Sequence, residues 1–155
     1  MMMKLSYDVI NALQGRTLST AESCTGGGIG AALTAVPGSS AVYVGGIISY
    51  IDRVKAELLC VDPDVLKKCG AVSGEVAEAM AISARNTLKS DIAISVTGLA
   101  GPGGDNFGNP VGTVFFGYAD AQCSFFEHQQ LNGDRNAIRM QAIQIALELI
   151  LRMNK

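Results

Sequence analysis

The stretch "DIAISVTG", residues 91 to 98, is nearly unbroken apolar sequence. A strand of that kind is buried on both faces, as in a parallel sheet covered by helices on either side. The remaining periodicities fit such a sheet. Helical spacing predicts helices over 5–14, 25–36, 52–60, 63–69 and about 73–89, the last with Val76, Met80, Ala84 and Leu88 on one stripe. The fourth is ended by Gly70. Strands are predicted over 16–22 and 43–51. "GTVFFGYA" and "CSFFEHQQL", joined by a tight "DAQ", read as an antiparallel hairpin. A helix from Arg135 to about Met153 closes the series, with Gln141, Gln144, Glu148 and Arg152 on its wet stripe. Its apolar face fits either the sheet or a second subunit, so a homo-oligomer stays open. Strands alternating with helices imply a mixed α/β sheet covered on both faces. A chain of 155 residues suffices for one such domain, 1–155, with a single core.

Ligands of such sheets bind beyond the carboxyl ends of the strands. Two glycine-rich segments fall at those ends. "ESCTGGG" lies between a strand and a helix, where main-chain N–H groups and the helix dipole favour negative charge. "TGLAGPGGDNFGNPVG", residues 97–112, has six glycines in 16 residues, which lets the main chain approach a ligand closely.

Several function classes drop out. A net charge of −2, with 12 Lys and Arg scattered along the chain, gives no basic face for nucleic acid. No run is long enough to span a bilayer, and the start lacks a cleavable leader, so a cytoplasmic protein with no membrane partner is expected. Cys24, Cys60, Cys69 and Cys123 form no CxxC pair and are expected as reduced thiols. The single histidine, His128, cannot build a multi-histidine metal site, and its strand context suggests an exposed edge residue. No GxxxxGK[ST] is present. "GGGIGA" satisfies G-x-G-x-x-A, but no acidic residue follows at the distance of about 20 that NAD binding uses.

Ser23 and Cys24 stand side by side before the glycines. Cys24 is intrinsically the stronger nucleophile and also sits near a helix start. Ser23 has neither a G-x-S-x-G elbow nor an S-x-x-K partner, so a serine mechanism must take its base from elsewhere. Of six lysines, Lys55 is best placed, following a strand end and lying three residues after Asp52, which reads as a helix N-cap. A cation in a first helical turn opposes the dipole. That effect supplies only about 1 kcal/mol, so desolvation must do most of the work of freeing the amine near neutrality.

"TAESCTGG", "PGSS", "SYIDRVKAELLCV", "GAVS", "VTGLAGPGG", "NPVGTV" and "GDR", in that order, resemble the CinA C-terminal domain family, from about residue 5 to 153. The characterised enzymatic members of that family are nicotinamide mononucleotide deamidases. The resemblance implies a three-layer α/β/α sandwich with a mixed, mostly parallel sheet and one antiparallel strand. It implies a stand-alone serine amidohydrolase with Ser23 as nucleophile, Lys55 as base and Tyr50 as a further site residue, needing no metal or organic cofactor. Cys24, Thr25, Gly26 and Gly27, or Thr97, Gly98 and Gly101 in the second glycine segment, are the expected main-chain donors to a developing oxyanion. Arg135 and Arg139, one turn apart behind an Asp134 cap, are expected at the substrate phosphate, with an Asp134–Arg pairing as the alternative. Family members commonly carry Tyr-Ser-Asn where this chain has Tyr50, Ile51 and Asp52, and a lysine at Asn109. Two other readings compete: a non-catalytic nucleotide-binding module of the same fold, and a NAD-linked Rossmann enzyme.

Overall fold

The computed structural model describes residues 1–155. Its sheet has the order β2-β1-β3-β4-β5, built from β1 (Leu18–Glu22), β2 (Tyr43–Ile48), β3 (Ile92–Gly98), β4 (Thr113–Ala119) and β5 (Ser124–Gln130). Strand β1 pairs parallel to β2 and β3, while β4 pairs antiparallel to β3 and β5. One strand therefore opposes the other four. The "DAQ" connection is tight because Asp120 Oδ1 accepts the N–H groups of Gln122 and Cys123, at 2.8 and 2.9 Å.

Six α-helices flank the sheet: α1 (Met2–Ala12), α2 (Gly28–Thr34), α3 (Asp52–Leu59), α4 (Pro63–Cys69), α5 (Gly74–Leu88) and α6 (Arg135–Met153). Every residue of β3 from Ile92 to Thr97 is buried, as its sequence demands of a central strand. Ile92, Ile94 and Val96 join a core with residues of α1, α2 and α6 on one face. Ala93 joins a second core with residues of α3, α4 and α5 on the other. The α6 apolar stripe, including Ile138, Ala142, Leu147 and Ile150, is buried within this chain, mainly against α1 and the sheet. Gln141 and Gln144 are half-buried, Glu148 and Arg152 exposed.

Several element boundaries shift by one to three residues from the sequence expectation, and two helix starts bear on the site. Helix α2 begins at Gly28 rather than 25, because Gly26 and Gly27 take positive φ, 59° and 95°, and prolong the turn. Helix α3 is preceded by Ile51 in extended conformation, and Asp52 is its first helical residue, not its N-cap. Asp134 does cap α6, accepting from Ala137 N at 2.8 Å, and Gly70 ends α4 with φ 78°. His128 is exposed on β5, its ring 4.9 Å from that of Phe115.

Candidate active site

Strands β1, β2 and β3 run in one direction, and the loops beyond their carboxyl ends meet at a cleft of about 290 Å³. Ser23, Cys24, Tyr50, Lys55, Thr97, Gly98, Gly101 and Arg135 lie on its wall. Residues from four distant stretches of chain thus converge where an α/β sheet places its ligands.

Lys55 is the centre of the arrangement. Its side chain is 1% exposed, and Nζ lies 2.9 Å from Ser23 Oγ, 2.6 Å from the Ser49 carbonyl oxygen and 3.4 Å from that of Tyr50. Burial lowers the Lys55 pKa from its ordinary 10.5, against an opposing pull from Asp52 and a smaller one from Cys24. Lys55 makes no ion pair with Asp52 or any other carboxylate. When the amine is uncharged, the two carbonyls can take the two N–H hydrogens of the –NH₂ group, leaving its lone pair for the Ser23 hydroxyl proton.

The neighbouring thiol is differently placed. Cys24 is buried in the larger apolar core, and burial pushes its pKa up to about 11. It therefore stays protonated near neutrality and packs as a small apolar side chain. Its main-chain N–H, however, donates to no carbonyl of the chain. That group follows directly on Ser23, the usual position for an oxyanion donor after a nucleophilic serine.

Sequence reasoning missed Glu22. Its carboxylate, in a residue only 1% exposed, accepts from Ile29 N at 2.8 Å, Thr25 Oγ1 at 2.7 Å, Gly30 N at 3.0 Å and Thr20 Oγ1 at 3.4 Å. The start of α2 is thereby filled from within. A phosphate expected there, or the pyrophosphate of a dinucleotide, meets a carboxylate instead, which removes the physical basis of the Rossmann reading. The signal was present as an acidic residue six positions before the helix.

The two arginines divide. Arg139 donates from Nε to the Cys24 carbonyl at 3.0 Å and from NH2 to that of Thr25 at 3.2 Å, so it supports the turn from behind rather than facing the cleft. Thr25, Gly26 and Gly27 likewise lie off the cleft wall. Arg135 does line it, donating to Gly101 O at 2.6 Å and to the Tyr50 hydroxyl at 2.7 Å. Neither arginine pairs with Asp134. Tyr50 is 56% exposed, so this bridge joins α6, the glycine-rich loop and the β2–α3 connection at the cleft's rim.

The second glycine segment is held in shape by Asp105, which accepts from Phe107 N, Asn109 N and Asn109 Nδ2 at 2.8 to 3.0 Å. Asn109 Nδ2 also reaches Val72 O at 3.2 Å, tying the loop to the start of α5. Thr97 Oγ1 donates to Ala71 O at 2.8 Å on the same wall. No three His, Cys, Asp or Glu side chains converge as a metal-binding group, and no helix is long and apolar enough to cross a membrane.

The fold and site define an α/β protein of enzyme-like build, with a cleft at its strand ends that brings a serine to a buried lysine. The chain belongs to the CinA C-terminal domain family, whose model matches residues 3–154. A CinA-like protein of Solibacter usitatus is 48% identical over 88% of this chain, and one of Synechococcus sp. strain RCC307 is 48% identical over 94%. The chain spans 33% and 36% of the lengths of those two relatives. Crystal structures agree over nearly the whole chain. A competence-damaged protein (CinA) superfamily protein from Klebsiella pneumoniae 700603 is 33% identical with a TM-score of 0.95, covering 98% of this chain and 96% of its own. The competence/damage inducible protein CihA from Agrobacterium tumefaciens is 35% identical, also with a TM-score of 0.95, over 99% and 96%.

Proposed function

We propose that this protein hydrolyses the carboxamide of nicotinamide mononucleotide, giving nicotinate mononucleotide and ammonia through an acyl-Ser23 intermediate. The substrate is the one the family resemblance implies. The observation that carries the chemistry is the buried Lys55 amine 2.9 Å from the Ser23 hydroxyl, with no carboxylate paired to it.

Lys55 in its neutral form takes the Ser23 proton as Oγ attacks the carboxamide carbon. The carbonyl oxygen gains negative charge and accepts a hydrogen bond from the Cys24 N–H, which no carbonyl of the chain takes; one such donor lowers the barrier by about 3 kcal/mol. The C–N bond breaks, Lys55 passes its proton to the departing nitrogen, and ammonia leaves. Water then attacks the acyl-serine, its proton going through Lys55 back to Ser23 Oγ. The cycle returns both residues unchanged and requires no metal or organic cofactor. Arg135, the one cation besides Lys55 on the cleft wall, is the candidate contact for substrate phosphate. On this reading the protein works in the cytoplasm on a small nucleotide, without nucleic-acid or membrane partners.

Ammonia release from nicotinamide mononucleotide by the purified protein tests the proposal. Release that vanishes in Ser23→Ala is expected; tight binding without release, in the unaltered protein, would leave only a nucleotide-binding module. Arg135→Ala is expected to raise KM with a smaller effect on kcat, and an unchanged KM rejects the phosphate contact.

A further inference from the structure

We propose that Glu22 is a positioning residue for the nucleophile: its carboxylate locks the Ser23–Gly27 turn from below, so that the Cys24 N–H stands preset for the acyl oxygen. The inference rests on the serine-nucleophile part of the reading above, but not on the identity of the substrate.

A carboxylate 1% exposed is costly to desolvate unless its oxygens are well bonded. Here both are: Oε1 takes Ile29 N and Thr25 Oγ1, Oε2 takes Gly30 N and Thr20 Oγ1. No lysine or arginine pairs with it. The charge is held by main-chain and hydroxyl donors alone, most of them from α2 and the turn that leads into it. Such bonds fix the backbone more tightly than a flexible ion pair fixes two side chains.

The turn is restrained from its other sides as well. Gly26 N donates to Ser23 O at 3.0 Å, Ser23 N to Val96 O at 3.0 Å, and Arg139 holds the carbonyls of Cys24 and Thr25. A planar trans peptide points its N–H opposite its C=O. With the Ser23 carbonyl turned inward to Gly26, the Cys24 N–H is directed out of the turn. Cys24 lies on the cleft wall, and its N–H has no carbonyl partner within the chain. Glu22 thus acts through the backbone, one residue before the nucleophile, without touching substrate. A misplacement of about 1 Å at such a donor costs on the order of 100-fold in rate.

The test compares Glu22→Gln and Glu22→Ala with the unaltered protein, each well below its melting temperature. Two readouts are taken: kcat and KM for ammonia release, and the rate at which a fluorophosphonate labels Ser23. The expected result is KM within about twofold, kcat about 10-fold lower for Gln, which keeps one acceptor oxygen, and about 100-fold lower for Ala. Labelling should slow in the same order. A merely structural cap predicts a lower melting temperature with kcat and labelling unchanged, and that result overturns the proposal. So does a raised KM at constant kcat. If Glu22→Ala does not fold, the Gln variant decides alone. Labelling without ammonia release in the unaltered protein removes the nicotinamide reading and leaves Glu22 to be judged by labelling rates. No labelling of the unaltered protein defeats the inference together with the serine mechanism.

Discussion

At the scale of single residues, the chemistry depends on one amine kept out of water. Activity requires Lys55 neutral, so kcat/KM should rise with pH through the lowered Lys55 pKa. Asp52 favours the charged ammonium, and Asp52→Asn is therefore expected to move this acid limb to lower pH, read from a pH–rate profile. Stability carries the same signature. Between the lowered folded pKa and the ordinary 10.5, the unfolded chain holds the extra proton, so stability rises with pH across that window and levels off below the folded pKa, where both states are protonated. Denaturant titrations at several pH values should show this slope in the native protein and its loss in Lys55→Met. Cys24→Ala should retain ammonia release, since its thiol is held protonated. Ser49 Oγ, close in sequence to these groups, is the one buried side-chain oxygen or nitrogen without a hydrogen-bond partner. Ser49→Ala should leave stability unchanged or raise it by about 1 kcal/mol, because a desolvated hydroxyl with no partner is removed.

At the scale of elements, α5 and β4 meet main chain to main chain at Gly117. A Cβ on Gly117 would lie 2.1 Å from the Ala77 carbonyl oxygen, main chain against main chain, where nothing flexible can give way. Gly117→Ala should destabilise by about 3 kcal/mol, measured by chemical denaturation. The elements themselves were largely legible in the sequence. Continuous apolar character marked β3 as central, and alternating short strands with "DAQ" marked the hairpin of β4 and β5. The start of α2 was not legible, because periodicity does not register that Gly26 and Gly27 adopt positive φ and extend the turn. Asp52 failed as a cap for a related reason: a carboxylate near a helix start scores alike in the cap or one position inside, and only the extended φ and ψ of Ile51 decide.

At the scale of the molecule, one sheet separates two apolar cores, and both are built around its central strands. Neither core can lose its packing without uncovering a shared sheet face, so thermal transitions followed by far-UV circular dichroism and by tyrosine signals should coincide. The pairing of Ser23 with Lys55 could be named from the motif resemblance but not from spacing, since 32 residues of sequence separate them and only the register of β1 beside β2 brings them together. The acid at position 22 was visible before α2, but its bonds, like the inward duty of Arg139, were not: each acts on backbone groups whose directions exist only once the turn is folded.

The β2 strand lies at the margin of the sheet, hydrogen-bonded to β1 alone, and its far end hands over to the Ser49 and Tyr50 carbonyls that steady the Lys55 amine. Outer strands fray before inner ones. Warming should therefore silence the protein several degrees before it melts, with turnover resuming on cooling, because the margin loosens while both cores are still intact.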